Sequence, residues 1–136
     1  MNRLITAIAF GLLAAPAFAS GDVDKGEAGF KKCKSCHAIA PADGDPIVKG
    51  GKTGPNLYGI IGRTAGTSEG FKYGDDLVAA GAAGLVWDED NFTAYVTDPK
   101  AFLQEYLGST SAKSKMSFKL KKGGEDVAAY LASVSQ

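Results

Sequence analysis

Cys33-Lys34-Ser35-Cys36-His37 constrains this chain more than any other stretch. It holds both cysteines and the single histidine of the 136 residues. C-x-x-C-H is the spacing at which a c-type haem is attached. Two thiols add across the porphyrin vinyl groups, and the adjoining imidazole reaches the iron from one face. Other chemistries use part of the pattern. A structural zinc ion needs four protein ligands, so carboxylates would have to join the three Cys and His candidates. A thioredoxin-like dithiol belongs in a βαβ pattern, which the chain lacks. The histidine directly after the second cysteine favours one covalent haem c over both.

The N-terminus reads as a secretory leader: Arg3, a short apolar run from Leu4 to Ala15, and the small-x-small triplet Ala17-Phe18-Ala19. A retained anchor is the alternative, and the run is too short to span a bilayer. Cleavage is expected after Ala19, giving a signal peptide over 1–19 and one domain over 20–136, exported to the periplasm. In that oxidising compartment a bare Cys33/Cys36 pair would tend towards a disulfide. Bacteria attach haem to this motif in the same place. The 117 residues that remain of 136 suit a single domain with a modest core. Glycine occurs 18 times, well above the usual share of about 7%, which predicts long loops. A small, glycine-rich chain of this kind needs something to fold around, and a covalent haem would supply it.

Basic and acidic residues number 15 each, which argues against nucleic acid as a partner. Their distribution is uneven. Lys31, Lys32 and Lys34 surround the first cysteine, and Lys113, Lys115, Lys119, Lys121 and Lys122 surround Met116. Asp75, Asp76, Asp88, Glu89 and Asp90 lie mid-chain. If both lysine segments meet at the haem, one face is basic and the acidic residues lie away from it. Solvated lysines with no task are the plain alternative.

Apolar spacing and capping residues predict an all-α fold of four to five short helices. The first starts at Asp22 or Asp24 and runs through Phe30 to about Cys33. The stretch from Ala38 to Gly70 reads as loops. A short helix is expected over 75–80, stopped by Gly81. Asp88 caps a helix to Thr97. Pro99 opens the next, which Gly108 ends. Residues 109–122 form a basic, hydroxyl-rich loop. Val127, Tyr130, Leu131 and Val134 give the last helix an apolar stripe.

An iron bound by His37 needs a partner on its other face, and no second histidine exists. Met116 is the only methionine besides Met1. A lone methionine is usually a flexible core filler, but Lys115 and Ser117 make this a polar loop. Met116 is therefore the candidate axial ligand, with a lysine or an open site as alternatives. His and Met ligation raises the reduction potential and suits electron transfer.

The chain resembles the class I c-type cytochromes, and most of all the soluble bacterial cytochrome c₂ group. The resemblance spans nearly the whole mature chain. Gly21-Asp22-Val23-Asp24-Lys25-Gly26 and Phe30 match the first helix of the family. Lys52-Thr53-Gly54-Pro55-Asn56-Leu57 matches a block whose proline carbonyl accepts a hydrogen bond from the axial histidine, a role that falls to Pro55. The resemblance implies haem-propionate contacts for Arg63, Tyr73 and Trp87. It implies packing near the methionine sulfur for Tyr95, and a place at the haem edge for Phe118. Ser114 matches a hydroxyl position weakly. Asp98-Pro99-Lys100 and Lys115-Met116 complete the match. Relative to the short mitochondrial pattern, the intervals His37 to Pro55, Tyr73 to Trp87 and Pro99 to Met116 are longer.

The function implied is that of a monomeric, periplasmic single-electron carrier, not an enzyme. A cytochrome bc₁-type complex would donate electrons. A photosynthetic reaction centre or terminal oxidase would accept them, docking at the lysine ring. A gas-binding or peroxidatic haem protein and an exported thiol–disulfide oxidoreductase are the rival classes. Met116 and the missing distal histidine oppose the first, and the single C-x-x-C-H opposes the second.

Overall fold

The computed structural model describes residues 21–135 and contains five helices, with no named strand among those residues. The leader expected over 1–19 lies outside the described residues. No described helix is long and apolar enough to cross a membrane.

Helix α1 spans Val23–Phe30, and the Asp22 carboxylate caps it by accepting from the Lys25 amide at 3.0 Å. The chain then leaves the helix in turns, with His37 N–H donating to the Cys33 carbonyl at 2.9 Å. The motif thus sits one turn beyond a helix end and not inside the helix. Helix α5, Gly124–Val134, buries Val127, Tyr130 and Leu131 as its stripe predicts. It packs across α1, where Phe30 and Tyr130 bring ring centroids to 6.0 Å. This crossing requires close backbone approach. A Cβ on Gly26 would lie 1.9 Å from the Asp126 carbonyl oxygen.

Helix α2, Asp75–Ala82, runs through Gly81, where a stop was expected. The reason is packing: a Cβ at Gly81 would lie 2.0 Å from the Ala65 carbonyl oxygen. This glycine admits a neighbouring loop and leaves the helix intact. Asp88 caps α3, Glu89–Thr97, in a reciprocal box with Asn91. Helix α4, Pro99–Leu107, starts at a proline and ends at Gly108 in the left-handed region. Asp98 serves two elements. One carboxylate oxygen caps α4 at the Ala101 amide, and the other takes a bond from Lys119 Nζ at 2.8 Å. The Lys119 bond, then the Ala101 amide, holds this carboxyl below the usual carboxylate range. Its contribution to stability is present above the ordinary carboxylate pKa and is lost as pH falls through the depressed one.

The loops carry the remaining order. Ile39 pairs with Val48, and Thr64 with Val86, as isolated antiparallel bridges. Helices α3 and α5 pack together, as do α3 with α4 and α2 with α4. The buried side chains of all five, with Ile39, Leu57 and Ile60 from the loops, form one cluster.

The α1–α5 crossing yields a direct test. Gly26→Ala pushes backbone against backbone, and overpacking of this kind costs about 1–3 kcal/mol or more. Gly29→Ala meets only the Val127 side chain, at 3.3 Å, which can give. Urea unfolding should show a large loss for the first and a small one for the second.

Candidate functional site

Four of the five helices and three loops leave an apolar cavity of about 300 Å³ between them. Leu77 of α2, Phe92 of α3, Leu103 of α4 and Val127 of α5 supply walls, joined by Leu57 and Leu120 from loops. Such a volume is within the range of small-molecule sites. Cys33, Cys36 and His37 line one side, and Met116 lines the cavity from a segment some eighty residues downstream.

The histidine is tightly constrained. Its Nδ1 lies 2.7 Å from the Pro55 carbonyl oxygen. A carbonyl can only accept, so Nδ1 carries the proton and Nε2 presents its lone pair. Burial holds the His37 pKa below its ordinary value, against the opposing pull of the Pro55 bond. The imidazole is therefore neutral at pH 7, as a metal ligand must be. Gly54 is the other constraint. A Cβ there would lie 2.4 Å from His37 Cε1, so the loop can lie against the ring only without a side chain.

The two thiols differ. Cys33 is half-buried, and burial pushes its pKa up to about 11. Cys36 is exposed, and hydrogen bonds from Thr53 and then Ser35 lower its pKa. Among the described residues no three His, Cys, Asp or Glu side chains are placed to share a metal ion.

Of the other residues singled out above, Tyr73, Trp87, Tyr95 and Phe118 all line the cavity. Trp87 and Tyr95 are 4% and 8% exposed, with ring centroids 4.9 Å apart, so they form a rigid inner wall. Burial raises the Tyr95 pKa. Phe118 is 44% exposed and stands at the mouth. Arg63 departs from expectation. It does not line the cavity, and its guanidinium donates to Ser68 Oγ and to the Tyr58 carbonyl. The Ser68 amide in turn donates to the Tyr73 hydroxyl at 3.2 Å, so Arg63 reaches the wall through that loop. Between Tyr73 and Trp87 the lining residues are Gly74 and Leu77, which the sequence left unspecified.

Lysines do gather at the mouth. Lys32, Lys113 and Lys115 line the cavity, and Lys32, Lys119, Lys121 and Lys122 line an adjoining hollow beside Phe118. The acidic residues are less separated than expected. Asp76 accepts from the Lys113 amide at 2.7 Å, and Asp98 pairs with Lys119. Two carboxylates thus sit within the basic region and dilute it.

No protein-family model matches the chain. Individual proteins match it strongly. Cytochrome c-551 of Roseobacter denitrificans is 64% identical over 134 residues, covering 98% of this chain and 96% of that protein. Cytochrome c2 of Rhodobacter capsulatus is 63% identical over 123 residues, covering 90% and 89%. The chain belongs to the bacterial cytochrome c₂ group of class I c-type cytochromes. The fold agrees. A solved structure of Rhodobacter capsulatus cytochrome c2 superposes with a TM-score of 0.84 at 61% identity, covering 85% of this chain and 100% of that one.

As a member of this group the chain is an electron carrier whose cofactor is covalent haem c. The cavity fits such a group: its walls are apolar, two thiols stand together at one side, and the Gly54 cradle holds a neutral imidazole.

Gly54→Ala should therefore displace the His37 ring and break its bond to Pro55. Urea unfolding of the holoprotein should lose about 1–3 kcal/mol, and the His37 Nδ1–H resonance should lose its protection from solvent exchange. A retained, protected Nδ1–H would contradict the crowding at Gly54.

Proposed function

We propose that this chain is a periplasmic single-electron carrier in which Cys33 and Cys36 form the thioethers and His37 Nε2 and Met116 Sδ take the two axial positions. The convergence of these four side chains on one apolar cavity carries the reading. When bound there, haem c supplies an iron that cycles between ferrous and ferric. The chain's own residues fix the conditions. Pro55 sets the tautomer of His37, a support that also raises ligand basicity. Met116 would hold the iron through its sulfur and so leave no open position for small ligands. Trp87, Tyr95, Leu57 and Phe92 keep water from the interior. Tyr73 and Trp87, both in the cavity wall, would donate to the propionates, while Arg63 braces Tyr73 through Ser68.

Export would follow cleavage after Ala19. Electrons would arrive from a cytochrome bc₁-type complex and leave to a reaction centre or terminal oxidase. Both would dock where Phe118 and the lysines surround the cavity mouth. Positive charge there steers encounter with an acidic face, and the effect shrinks with salt, since the screening length is about 8 Å at physiological ionic strength.

Met116→Ala tests the ligand assignment. The ferric variant should lose its sulfur-to-iron charge-transfer absorption, bind azide readily and have a lower reduction potential. Wild-type values for all three would require a different ligand.

Lys32→Glu with Lys121→Glu tests docking. Stopped-flow oxidation by a reaction centre or oxidase should slow at low salt, through the association step, and the difference should vanish at high salt. Asp88→Lys with Asp90→Lys should change the rate little, because neither residue lines the mouth. Equal effects from both pairs, or a rate indifferent to salt, would refute docking at the lysines.

A further inference from the structure

The segment that carries Met116 has no helix of its own, and its attachments to the described protein are few. On the C-terminal side the Leu120 amide donates to the Val96 carbonyl at 2.7 Å, and Lys119 pairs with Asp98. On the N-terminal side Gln104 Nε2 donates to the Thr110 carbonyl at 3.0 Å and, more weakly, to the Ala112 carbonyl at 3.4 Å. The Met116 carbonyl is engaged only locally, by Ser114 Oγ at 2.9 Å. Two further bonds come from the direction of α2. The Lys113 amide donates to Asp76 Oδ2 at 2.7 Å, and Lys115 Nζ donates to the Lys72 carbonyl at 2.9 Å.

We propose that Asp76 is a positioning residue for Met116: its carboxylate clamps the Lys113 amide to the first turn of α2 and fixes the arc from which the methionine enters the cavity. The proposal rests on the reading of Met116 as the axial ligand. Of the two bonds from this side, the one to Asp76 is the stronger constraint. It holds the backbone itself, whereas Lys115 reaches Lys72 through a flexible side chain. It is also charge-assisted, and so shorter and stronger than a bond between neutral groups. Asp76 lies in the first turn of α2, where the helix N-terminus favours a negative charge. It is half-buried, so water competes less for the bond. Met116 lies three residue steps beyond the clamped Lys113, a reach of at most about 11 Å when extended. Freeing the Lys113 amide therefore widens the range open to the sulfur. Asp75 places the same charge in the same turn but is exposed, and among the described hydrogen bonds it makes none to this segment.

The test compares ferric holoprotein carrying Asp76→Ala, Asp76→Asn or Asp75→Ala. Hydrogen exchange of the Lys113 amide reads the clamp. Charge-transfer absorption and azide affinity read the methionine, and urea unfolding reads global stability. Asp76→Ala should speed Lys113 exchange by about 10- to 100-fold, weaken the absorption and raise azide affinity. Asp76→Asn, which keeps a neutral acceptor oxygen, should fall between, and it carries the test should the alanine variant fail to fold. Asp75→Ala should match wild type. Faster exchange with unchanged absorption and azide affinity would overturn the positioning role, leaving a bond that only stabilises the fold. Equal effects of Asp75→Ala and Asp76→Ala would overturn the hydrogen bond as the cause. A wild-type protein that lacks the absorption and already binds azide would remove the axial ligand itself, and the proposal with it.

Discussion

The bond from His37 Nδ1 to the Pro55 carbonyl, at 2.7 Å, joins the motif to the loop wrapped over it. Much of the local sequence serves that contact. The Gly54 amide donates to the Cys36 carbonyl at 2.8 Å, and the Gly51 amide to the Lys34 carbonyl at 2.9 Å. Side chains at Gly50 and Gly51 would run into the backbone of His37 and Ser35. The loop is thus laced to the C-x-x-C-H turn by main-chain bonds that only glycine permits. Without this lacing the imidazole could rotate, and Nε2 would no longer face the cavity.

A second consequence concerns the core. The helices pack in pairs, yet α2 and α4 meet α1 only indirectly, and the space between them is the cavity. An apolar cavity of this size is costly to leave empty, since its walls lose both solvent exclusion and packing contacts. Covalent haem c makes those walls an interior. On this reading folding and cofactor attachment would be coupled, and the thiols proposed to hold the group would also be structural residues.

The sequence made the elements and the motif legible to different degrees. Caps marked three helices well, because Asp22, Asp88, the Asp98-Pro99 pair and Gly108 each have a local physical role. Gly81 misled, because a glycine that admits a neighbouring backbone looks the same in sequence as one that ends a helix. The residues around His37 were legible through local spacing and the resemblance to c-type cytochromes. Arg63 was placed at the cavity, but its guanidinium is taken up by Tyr58 and Ser68, neither of which the sequence pairs with it. The acidic residues of α2 were expected far from the lysines. Asp76 instead holds Lys113, a contact across 37 residues that no periodicity could reveal.

The central claim is that one haem, bound through Cys33 and Cys36, completes the fold of an exported domain. The intact mass of the purified protein under denaturing conditions tests it most directly. The account predicts the mass of residues 20–136 plus one haem, with the added mass on the peptide that contains Cys33 and Cys36 and with no free thiol. A chain that releases its haem on denaturation, or whose two cysteines react as thiols or as a disulfide, would contradict it.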